Sequence, residues 1–473
     1  MSLIVFSLLV ISYYQDSGTP NSSDSGFHEF YHDVVRGGKF FWKVEEMHRR
    51  YVHINDPAMY DEIYAGNSRK RNKDPVFVSS FASPFSIIAT IDHDLHRTRR
   101  SLLNPFFSKK AVVELSTVIQ EKITRLSWHL ERFYADGAVV ALHTAFVGLT
   151  GETITHYLYG QDKGYLSDSD LTKRDFIWKL MFESTNSCHL FRFLPSILRL
   201  IKALPGRWMR LIRPKLAQVY ATQERIAQQS QDALLNKDSH ISTVGSIYQA
   251  LTDPSLAPED RTLVRLRDES FILLVAGTET TASTLTFAVY QLLRDRGMFL
   301  RLREELKQVM PTPRHEPKWS QLEQLLYLTP ISTIGYFIHR KPQIFPDPNT
   351  SRPERWLEAA ERGESLTRYL VPFARGSRIC IGMNIAYAEL YMTIASIVRR
   401  FDLELCDTNP EDMEFVREKI LQRPEKGVWT LKARVVGIFA LVYELIYRKK
   451  SGDRGVRMRD DVFMNKHLIV DWM

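Results

Sequence analysis

One cysteine stands where it could do chemistry. Cys380 lies in the loop VPFARGSRICIG, residues 371–382, directly before a stretch with helical periodicity, 384–401. The dipole and free N–H groups of a helix N-terminus favour a thiolate and lower its pKa. Around this sulfur the loop offers an aromatic wall, glycines that leave room for a flat ligand, and a cation, which are Phe373, Gly376, Gly382 and Arg378.

The neighbours of Cys380 decide between three kinds of cysteine site. A structural zinc site needs further Cys or His ligands at tetrahedral spacing, and the sequence has none there. A nucleophilic cysteine needs a histidine base, and no partner histidine is indicated. A single thiolate among glycine and aromatic residues instead fits an axial ligand of haem iron.

A second unusual feature lies in the most apolar helical stretch, residues 270–294. Its sequence FILLVAGTETTASTLTFAVYQLL predicts a long helix through the middle of a core. The small polar patch from Ala276 to Thr281 interrupts it without any gain in helix propensity. Local rules are broken mostly at functional sites, so we expect this patch to have a function.

These features together resemble the cytochrome P-450 monooxygenases. Phe373-x-x-Gly376-x-Arg378-x-Cys380-x-Gly382, continued by Ala386 and Glu389, is similar to the haem-ligand signature of that family. Three further motifs follow the family's order, and these are the patch at 276–280, His96-x-x-x-Arg100, and Pro353-Glu354-Arg355-Trp356. The resemblance covers residues 28–436. Within it, residues 29–51 and 65–107 resemble fungal secondary-metabolism members of the trichodiene oxygenase type.

The resemblance implies a mainly α, cytochrome P-450 fold, a large helical haem domain with small, depleted β-sheets. It implies that Cys380 is the proximal ligand of the iron of haem b, and that its electron donation promotes O–O cleavage. Arg378, His96 and Arg100 would neutralise the haem propionates, the alternative being surface salt bridges.

The same resemblance gives the central patch its roles. Thr280 would hydrogen-bond dioxygen, Glu279 would relay protons, and Gly277 would widen the helix groove so that oxygen fits over the iron. The alternative for Thr280 is a hydrogen bond back to the carbonyl one turn earlier.

The function implied is insertion of one atom of O2 into a small apolar substrate, terpenoid-like or another secondary metabolite. An NADPH-dependent reductase would donate the electrons, and residues 81–95 and 176–210 would select the substrate. Two alternatives stay open. The chain could be a non-catalytic or degenerate haem-binding member, or an isomerase or dehydratase on the same scaffold, although Glu279 and Thr280 argue against the last.

The sequence also departs from the family. No Glu-x-x-Arg pair lies between the central helix and the cysteine loop, and the join of 322–330 to 331–340 indicates a missing internal segment. A second gap is expected at Tyr51–Val52. Arg355 would then lack its carboxylate partner, and stranding a buried charge costs about 3–5 kcal/mol. We therefore predict a recognisable scaffold with impaired haem retention.

Composition and chain ends complete the prediction. The 473 residues are 44% hydrophobic and 25% charged, which excludes a disordered chain. The net charge of +8 comes from scattered basic residues without a nucleic-acid-binding motif, so we expect no nucleic-acid partner and favour a membrane surface or an acidic protein. Residues 1–14 are predicted as a short anchor-like stub, 15–27 as a polar linker and 437–473 as an atypical tail. The localisation implied is the cytosolic face of the endoplasmic reticulum membrane.

Overall fold

Helices dominate the structure, a computed structural model. It describes residues 30–40, 70–78, 81, 83–166, 192–194, 208, 214–235, 247–254, 256–331, 342–348, 350–419 and 421–439. Their helices are α1 (Pro75–Val78), α2 (His93–Leu103), α3 (Lys109–Ala135), α4 (Leu142–Tyr159), α5 (Pro214–Leu235), α6 (Ile247–Leu251), α7 (Leu263–Arg294), α8 (Arg296–Leu306), α9 (Trp319–Leu322), α10 (Leu328–Ile331), α11 (Glu354–Glu361) and α12 (Met383–Arg400). Short π or 3-10 turns lie at Tyr31–Val35, Pro258–Asp260, Leu366–Tyr369, Gly376–Arg378 and Pro410–Met413.

Apolar periodicity marks three of these helices: residues 111–133 show it within α3, and the two stretches described above form α7 and α12. Side chains cap the first two, because Ser108 accepts the N–H of Ala111 and Thr262 accepts the N–H of Arg265. Gly382 precedes α12 and supplies no side-chain cap. The first N–H groups of α12 are therefore left for the cysteine loop.

α7 forms the centre of the core. It packs most extensively on α4 and also on α5 and α12. Among the described residues it is the one helix long and apolar enough to cross a membrane, yet most of its apolar window is buried inside the protein. Its hydrophobicity is therefore explained by its place in the core.

The strands are few and short. β1 (Val139–Ala141), β5 (Lys432–Ile438) and β2 (Phe401–Leu405) form an antiparallel sheet in the order β1-β5-β2, with Val140 opposite Ala433 and Leu403 opposite Val435. β3 (Arg417–Lys419) and β4 (Leu421–Arg423) form a separate pair. The predicted mainly α architecture with small sheets is confirmed.

Several predictions concern parts of the chain that the structure does not describe. The anchor-like stub, the linker, the expected gap at 51–52 and most of 176–210 lie outside the described residues. β5 continues through Ile438, past the boundary predicted at 436, and the tail beyond 439 is likewise outside them.

Candidate active site

The cysteine loop turns back on itself before α12 begins. The Cys380 N–H donates to the Phe373 carbonyl at 2.8 Å, which closes the loop around a 3-10 turn at Gly376–Arg378. Ala374 (φ +59°) and Gly376 (φ +66°) both adopt the left-handed conformation. An alanine there costs about 1–3 kcal/mol, and such strain is concentrated at functional sites. The Phe373 ring packs edge-on against Tyr387 of α12, with 4.9 Å between ring centroids.

The sulfur of Cys380 faces the start of α12. The N–H of Gly382 donates to it, as expected for a helix N-terminus. Burial nevertheless raises the pKa of the Cys380 thiol to about 11, because it outweighs the opposing effects of the Gly382 N–H and of Arg100. The helix end thus lowers this pKa as predicted, but in the protein alone burial reverses the net shift. Coordination to a metal cation deprotonates a thiol outright.

Both predicted arginines reach the segment around this loop. Arg378 donates to the carbonyls of Thr90 and Ile91, each at 2.9 Å. Arg100 of α2 donates to the Ile379 carbonyl at 2.6 Å, one residue before the cysteine. Among the described residues neither makes the surface salt bridge considered as the alternative, and both are held by backbone carbonyls of the cysteine loop or of the segment beside it.

These arginines belong to a cluster of four basic side chains, defined here as the cation cluster: Lys73, His96, Arg100 and Arg378. Burial lowers the pKa of Lys73 to about 7, of His96 to about 2 and of Arg378 to about 10, and Arg100 further lowers all three. His96 is thus neutral, which differs from its expected role as a charge partner. A nearby anion would raise its pKa again.

The cation cluster shows whether the residues present fit a haem. Several positive groups, each disfavoured by burial and by its neighbours, form a site that an anionic ligand stabilises. A haem carries two carboxylates and its iron accepts a thiolate as axial ligand, so the residues fit such a cofactor. Lys73 has no sequence signature, because the surrounding run SRKRNKD contains several basic residues and no spacing that distinguishes one of them.

The patch on α7 presents one partly accessible face inside the core. Ala276, Thr280, Ser283 and Thr284 are half-buried, whereas Thr278, Glu279 and Thr281 are buried. The Thr280 hydroxyl donates to the Ala276 carbonyl at 2.7 Å. This is the back-bond considered as the alternative for Thr280. Its hydroxyl oxygen still has acceptor capacity on that face.

Glu279 points into a buried polar cluster. Its Oε1 accepts from Arg423 Nη1 of β4 at 2.6 Å and lies 3.8 Å from His143 Nε2 of α4. Burial lowers the pKa of His143 to about 4, although Glu279 acts in the opposite direction. The structure therefore places the predicted proton relay in an ion pair. Nothing in the sequence marks Arg423 as its partner.

Gly277 lies against α4. A Cβ atom added there would come within 2.8 Å of Ile154 Cγ1, which is closer than real side chains approach. Close packing of α7 on α4 thus explains the glycine. The predicted widening of an oxygen groove stays a prediction.

The cysteine helix and the central helix are joined by a buried acid. Glu389 of α12 accepts hydrogen bonds from Thr281 of α7 and Thr153 of α4. Burial raises the pKa of Glu389 well above its usual value, which favours the protonated form of this acid. Glu389 belongs to the cysteine signature, and its partner Thr281 directly follows Thr280. The signature and the polar patch are therefore in contact.

Arg355 finds backbone partners instead of a carboxylate. It donates to the carbonyls of Arg352, Asp347 and Thr350 at 3.1, 3.2 and 2.8 Å. Among the described residues no carboxylate oxygen lies within 4.0 Å of it. The expected loss of its carboxylate partner holds for this part of the chain, but the predicted stranding is wrong, because carbonyls satisfy the guanidinium. Residues 332–341, directly after the join, lie outside the described residues.

Comparison with known proteins agrees with this geometry. The family model "Cytochrome P450" matches residues 14–331 and 329–431. Cytochrome P450 monooxygenase TRI4 of Trichoderma arundinaceum is 36% identical, covering 84% of this chain and 86% of the relative. TRI4 of Fusarium sporotrichioides is 34% identical, covering 84% and 85%. Conidiogenone synthase PchP450 of Penicillium rubens is 32% identical, covering 83% and 88%.

A loop that presents one cysteine at a helix N-terminus, together with this family match, identifies the class as haem-thiolate proteins. The chain belongs to the cytochrome P450 family and is a monooxygenase of that family. Members of the family hold haem-thiolate iron and use O2, a substrate and a redox partner.

The match also locates the missing segment. The two matched stretches meet at residues 329–331, where the sequence analysis predicts the break. The alignment with TRI4 of T. arundinaceum is 446 positions long, whereas 84% of 473 residues is about 397, so about 49 positions lie opposite gaps in this chain. The relative therefore contains internal sequence that this chain lacks.

Proposed function

We propose that this chain binds haem b through Cys380 and inserts one atom of O2 into a small apolar secondary metabolite of terpenoid-like character. The observation that carries the proposal is the cation cluster beside a sulfur that accepts a helix N–H. The first relatives named above are monooxygenases of this type by name, which supports the reaction class. The apolar and aromatic residues of 81–95 and 176–210 would select the substrate.

The cofactor would be held by two kinds of group. Cys380 would supply the axial sulfur, and Lys73, His96, Arg100 and Arg378 would face the propionates. When the haem propionates are bound, His96 would gain a proton. Their negative charge would raise the pKa that burial and neighbouring cations lower. Bound haem-thiolate iron supplies activation of O2 with electrons from a reductase, for which we propose an NADPH-dependent enzyme at the cytosolic face of the endoplasmic reticulum.

The protein's own task during turnover is to move protons at the Thr280 hydroxyl. Its hydrogen points to the Ala276 carbonyl, so passing a proton requires that bond to break, at a net cost of about 1 kcal/mol. For Glu279 to feed this hydroxyl, its carboxylate has to exchange Arg423 for water. Thr280 and Glu279 thus keep their proposed roles, each with a defined rearrangement.

The test is spectroscopic. Purified protein, loaded with haem, is reduced under carbon monoxide and compared with Cys380→Ser. We expect the wild type to give the thiolate-type Soret band and the variant to lose it. An unchanged spectrum in the variant contradicts ligation by Cys380. Cys406→Ser, at the other described cysteine, is the matched control and leaves the band unaltered.

A second candidate is a degenerate haem-binding member without turnover. The missing Glu-x-x-Arg pair and the backbone-satisfied Arg355 favour it. Reductase-supplied turnover separates the two candidates. A full thiolate-type Soret band without NADPH-dependent oxidation of any apolar test substrate supports the degenerate protein, whereas product formation supports the monooxygenase.

A further inference from the structure

Residues 83–91 cross from the central helix to the cysteine loop. They form turns without helix or strand. Their end is tied to the loop, because Arg378 donates to the carbonyls of Thr90 and Ile91 at 2.9 Å. Since Arg378 is two residues from Cys380, this segment borders the candidate haem site.

The other end of the segment is held by two adjacent acids of α7. Asp268 Oδ2 accepts the Phe85 N–H at 3.1 Å, and Glu269 Oε2 accepts the Ile87 N–H at 2.9 Å. Both acids are completely buried. We call Asp268 and Glu269 the acid clamp.

The turns of the segment explain why it needs this clamp. Ser86, Ala89 and Thr90 donate their N–H groups to carbonyls within the segment. Phe85 and Ile87 donate to the clamp instead. A buried backbone donor without a partner is costly, so these two carboxylates determine where the chain runs.

Helix geometry places Glu269 of the clamp on the same side of α7 as the accessible face of the polar patch. Glu269, Ala276 and Thr280 are separated by seven and four residues, spacings that return to one helix face. The clamp lies about 10 Å along the axis from Ala276, at 1.5 Å per residue. The segment that it holds therefore lies over the same face of α7.

The clamp is itself fixed by charges. Arg267 donates twice to Asp268 Oδ1, at 3.0 and 2.8 Å, and Arg265 Nη2 lies 3.7 Å from Glu269 Oε2. Arg99 of α2 adds a hydrogen bond from the other side, to the Thr90 hydroxyl at 2.9 Å. The position of the segment thus depends on a rigid helix and not on the turns alone.

Two apolar side chains of the segment are only partly buried or exposed. Phe85 is 48% exposed and Ile88 is half-buried. Displacing the backbone at 85–87 would move both groups. The segment therefore has the means to contact or obstruct an apolar ligand.

We propose that Asp268 and Glu269 are positioning residues that set the size of ligand admitted beside Cys380, by fixing residues 83–91. The inference rests on the proposed function, because the ligand is judged at the haem iron. A merely structural clamp occurs elsewhere in the chain, since Glu152 accepts the N–H groups of Gly164 and Tyr165 at 2.9 and 2.7 Å. Glu152 therefore provides a matched control.

The experiment titrates holoenzyme with pyridine and with 4-phenylpyridine, two nitrogen ligands of different size, and follows the Soret shift. In Glu269→Leu we expect the ratio of the two dissociation constants to change about tenfold, the effect of one lost buried hydrogen bond. Glu269→Gln keeps an acceptor for Ile87 and should restore the wild-type ratio. Glu152→Leu should destabilise the protein without changing that ratio.

Amide hydrogen exchange gives a second readout, independent of haem. Deuterium uptake by a peptide covering 83–91 should rise in Glu269→Leu and stay normal in Glu269→Gln and Glu152→Leu. If Glu269→Leu does not fold, Asp268→Ala, which removes the other half of the clamp, is measured in its place.

The outcomes separate the two proposals. An unchanged ligand ratio, unchanged uptake over 83–91, or the same change of ratio in Glu152→Leu overturns the acid clamp. A wild-type protein that gives no Soret response to pyridine contradicts the proposed haem function, and hydrogen exchange then decides the clamp alone.

Discussion

At the scale of single residues, the site is defined by cations whose pKa values are lowered more by burial and by one another than nearby acids raise them. Burial and mutual repulsion depress the pKa values of Lys73, His96 and Arg378. Without a ligand this arrangement lowers stability, and with a dianionic ligand it favours binding. The repulsion that destabilises the free protein is thus relieved when the anionic cofactor binds, and this relief contributes to its affinity.

Lys73→Met tests this view. Removing one cation should weaken haem retention about tenfold, because a charge-assisted hydrogen bond contributes roughly 1.5–3 kcal/mol and part of it is offset by relieved repulsion. The measurement is the rate of haem transfer to an excess of apomyoglobin. Lys70→Met is the control, since Lys70 is exposed and pairs with Asp94 at 2.7 Å. Equal haem loss from both variants contradicts the assignment of Lys73.

Glu269→Gln tests the electrostatics of the acid clamp. Burial raises the pKa of Glu269 from 4.5 to about 7, so the folded state holds a proton that the unfolded state releases. That contribution to stability is complete below pH 4.5 and is lost as the pH rises to about 7. Glutamine does not ionise, so Glu269→Gln does not lose this stability as the pH rises.

We therefore expect the free energy of unfolding of Glu269→Gln, relative to wild type, to increase by up to about 3 kcal/mol between pH 4.5 and pH 7 and then to level off. Urea unfolding of the two proteins across this range measures the difference. A difference that does not vary with pH would mean that Glu269 ionises normally.

At the scale of elements, α7 is held by three contacts of different kinds. A glycine lets it approach α4, a buried acid of α12 bonds to it, and a buried ion pair joins it to β4. Each contact involves the 277–281 stretch, so the polar patch also serves the packing of the core. This double use explains why its sequence fits a helix interior poorly.

Gly277→Ala probes the helix contact. The added Cβ would overlap Ile154, and overpacking of a core costs about 1–3 kcal/mol. In the double variant with Ile154→Ala the space is restored, so the combined loss in the free energy of unfolding should be smaller than the sum of the single losses. Additive losses would show that Gly277 and Ile154 do not compete for the same space.

Arg423→Met probes the ion pair. It leaves the Glu279 carboxylate buried without its partner, which should cost about 3–5 kcal/mol. Adding Glu279→Leu removes that charge and should recover most of the loss, as measured by urea unfolding. The double variant being less stable than Arg423→Met would contradict a simple buried pair.

At the scale of the whole molecule, the interrupted family match is the dominant feature. The family match around Cys380 is continuous, but it is interrupted at residues 329–331, where the sequence predicts the loss of the family's Glu-x-x-Arg pair. Inserting the corresponding residues of TRI4 from T. arundinaceum at this join should supply Arg355 with a carboxylate. We expect a higher fraction of protein with the thiolate-type Soret band.

The same insertion with its glutamate changed to alanine is the control and should not improve haem retention. Sequencing the transcript across codons 329–332 addresses the join directly. If the insertion leaves haem content unchanged, the carbonyls around Arg355 are sufficient and the predicted loss of haem retention is wrong.

Local patterns in the sequence were enough for the principal helices and for the cysteine loop. The predicted start of the central helix at 270 is too late by seven residues, because the first turns from Leu263 carry the charged residues of the clamp network and show no apolar run. The strands, three to seven residues long, are too short for a periodic signal. Helical periodicity and the loop signature each depend on residues close together in the chain, so both can be recognised in a single sequence.

Tertiary structure alone decided the partners of the buried charges. Glu279 pairs with an arginine 144 residues away, Lys73 joins the cation cluster, and Asp268 and Glu269 clamp a segment more than 180 residues before them. The physical reason is that a charge pair depends on which elements pack together and on how much water they exclude. Neither quantity is contained in the spacing of residues along the chain.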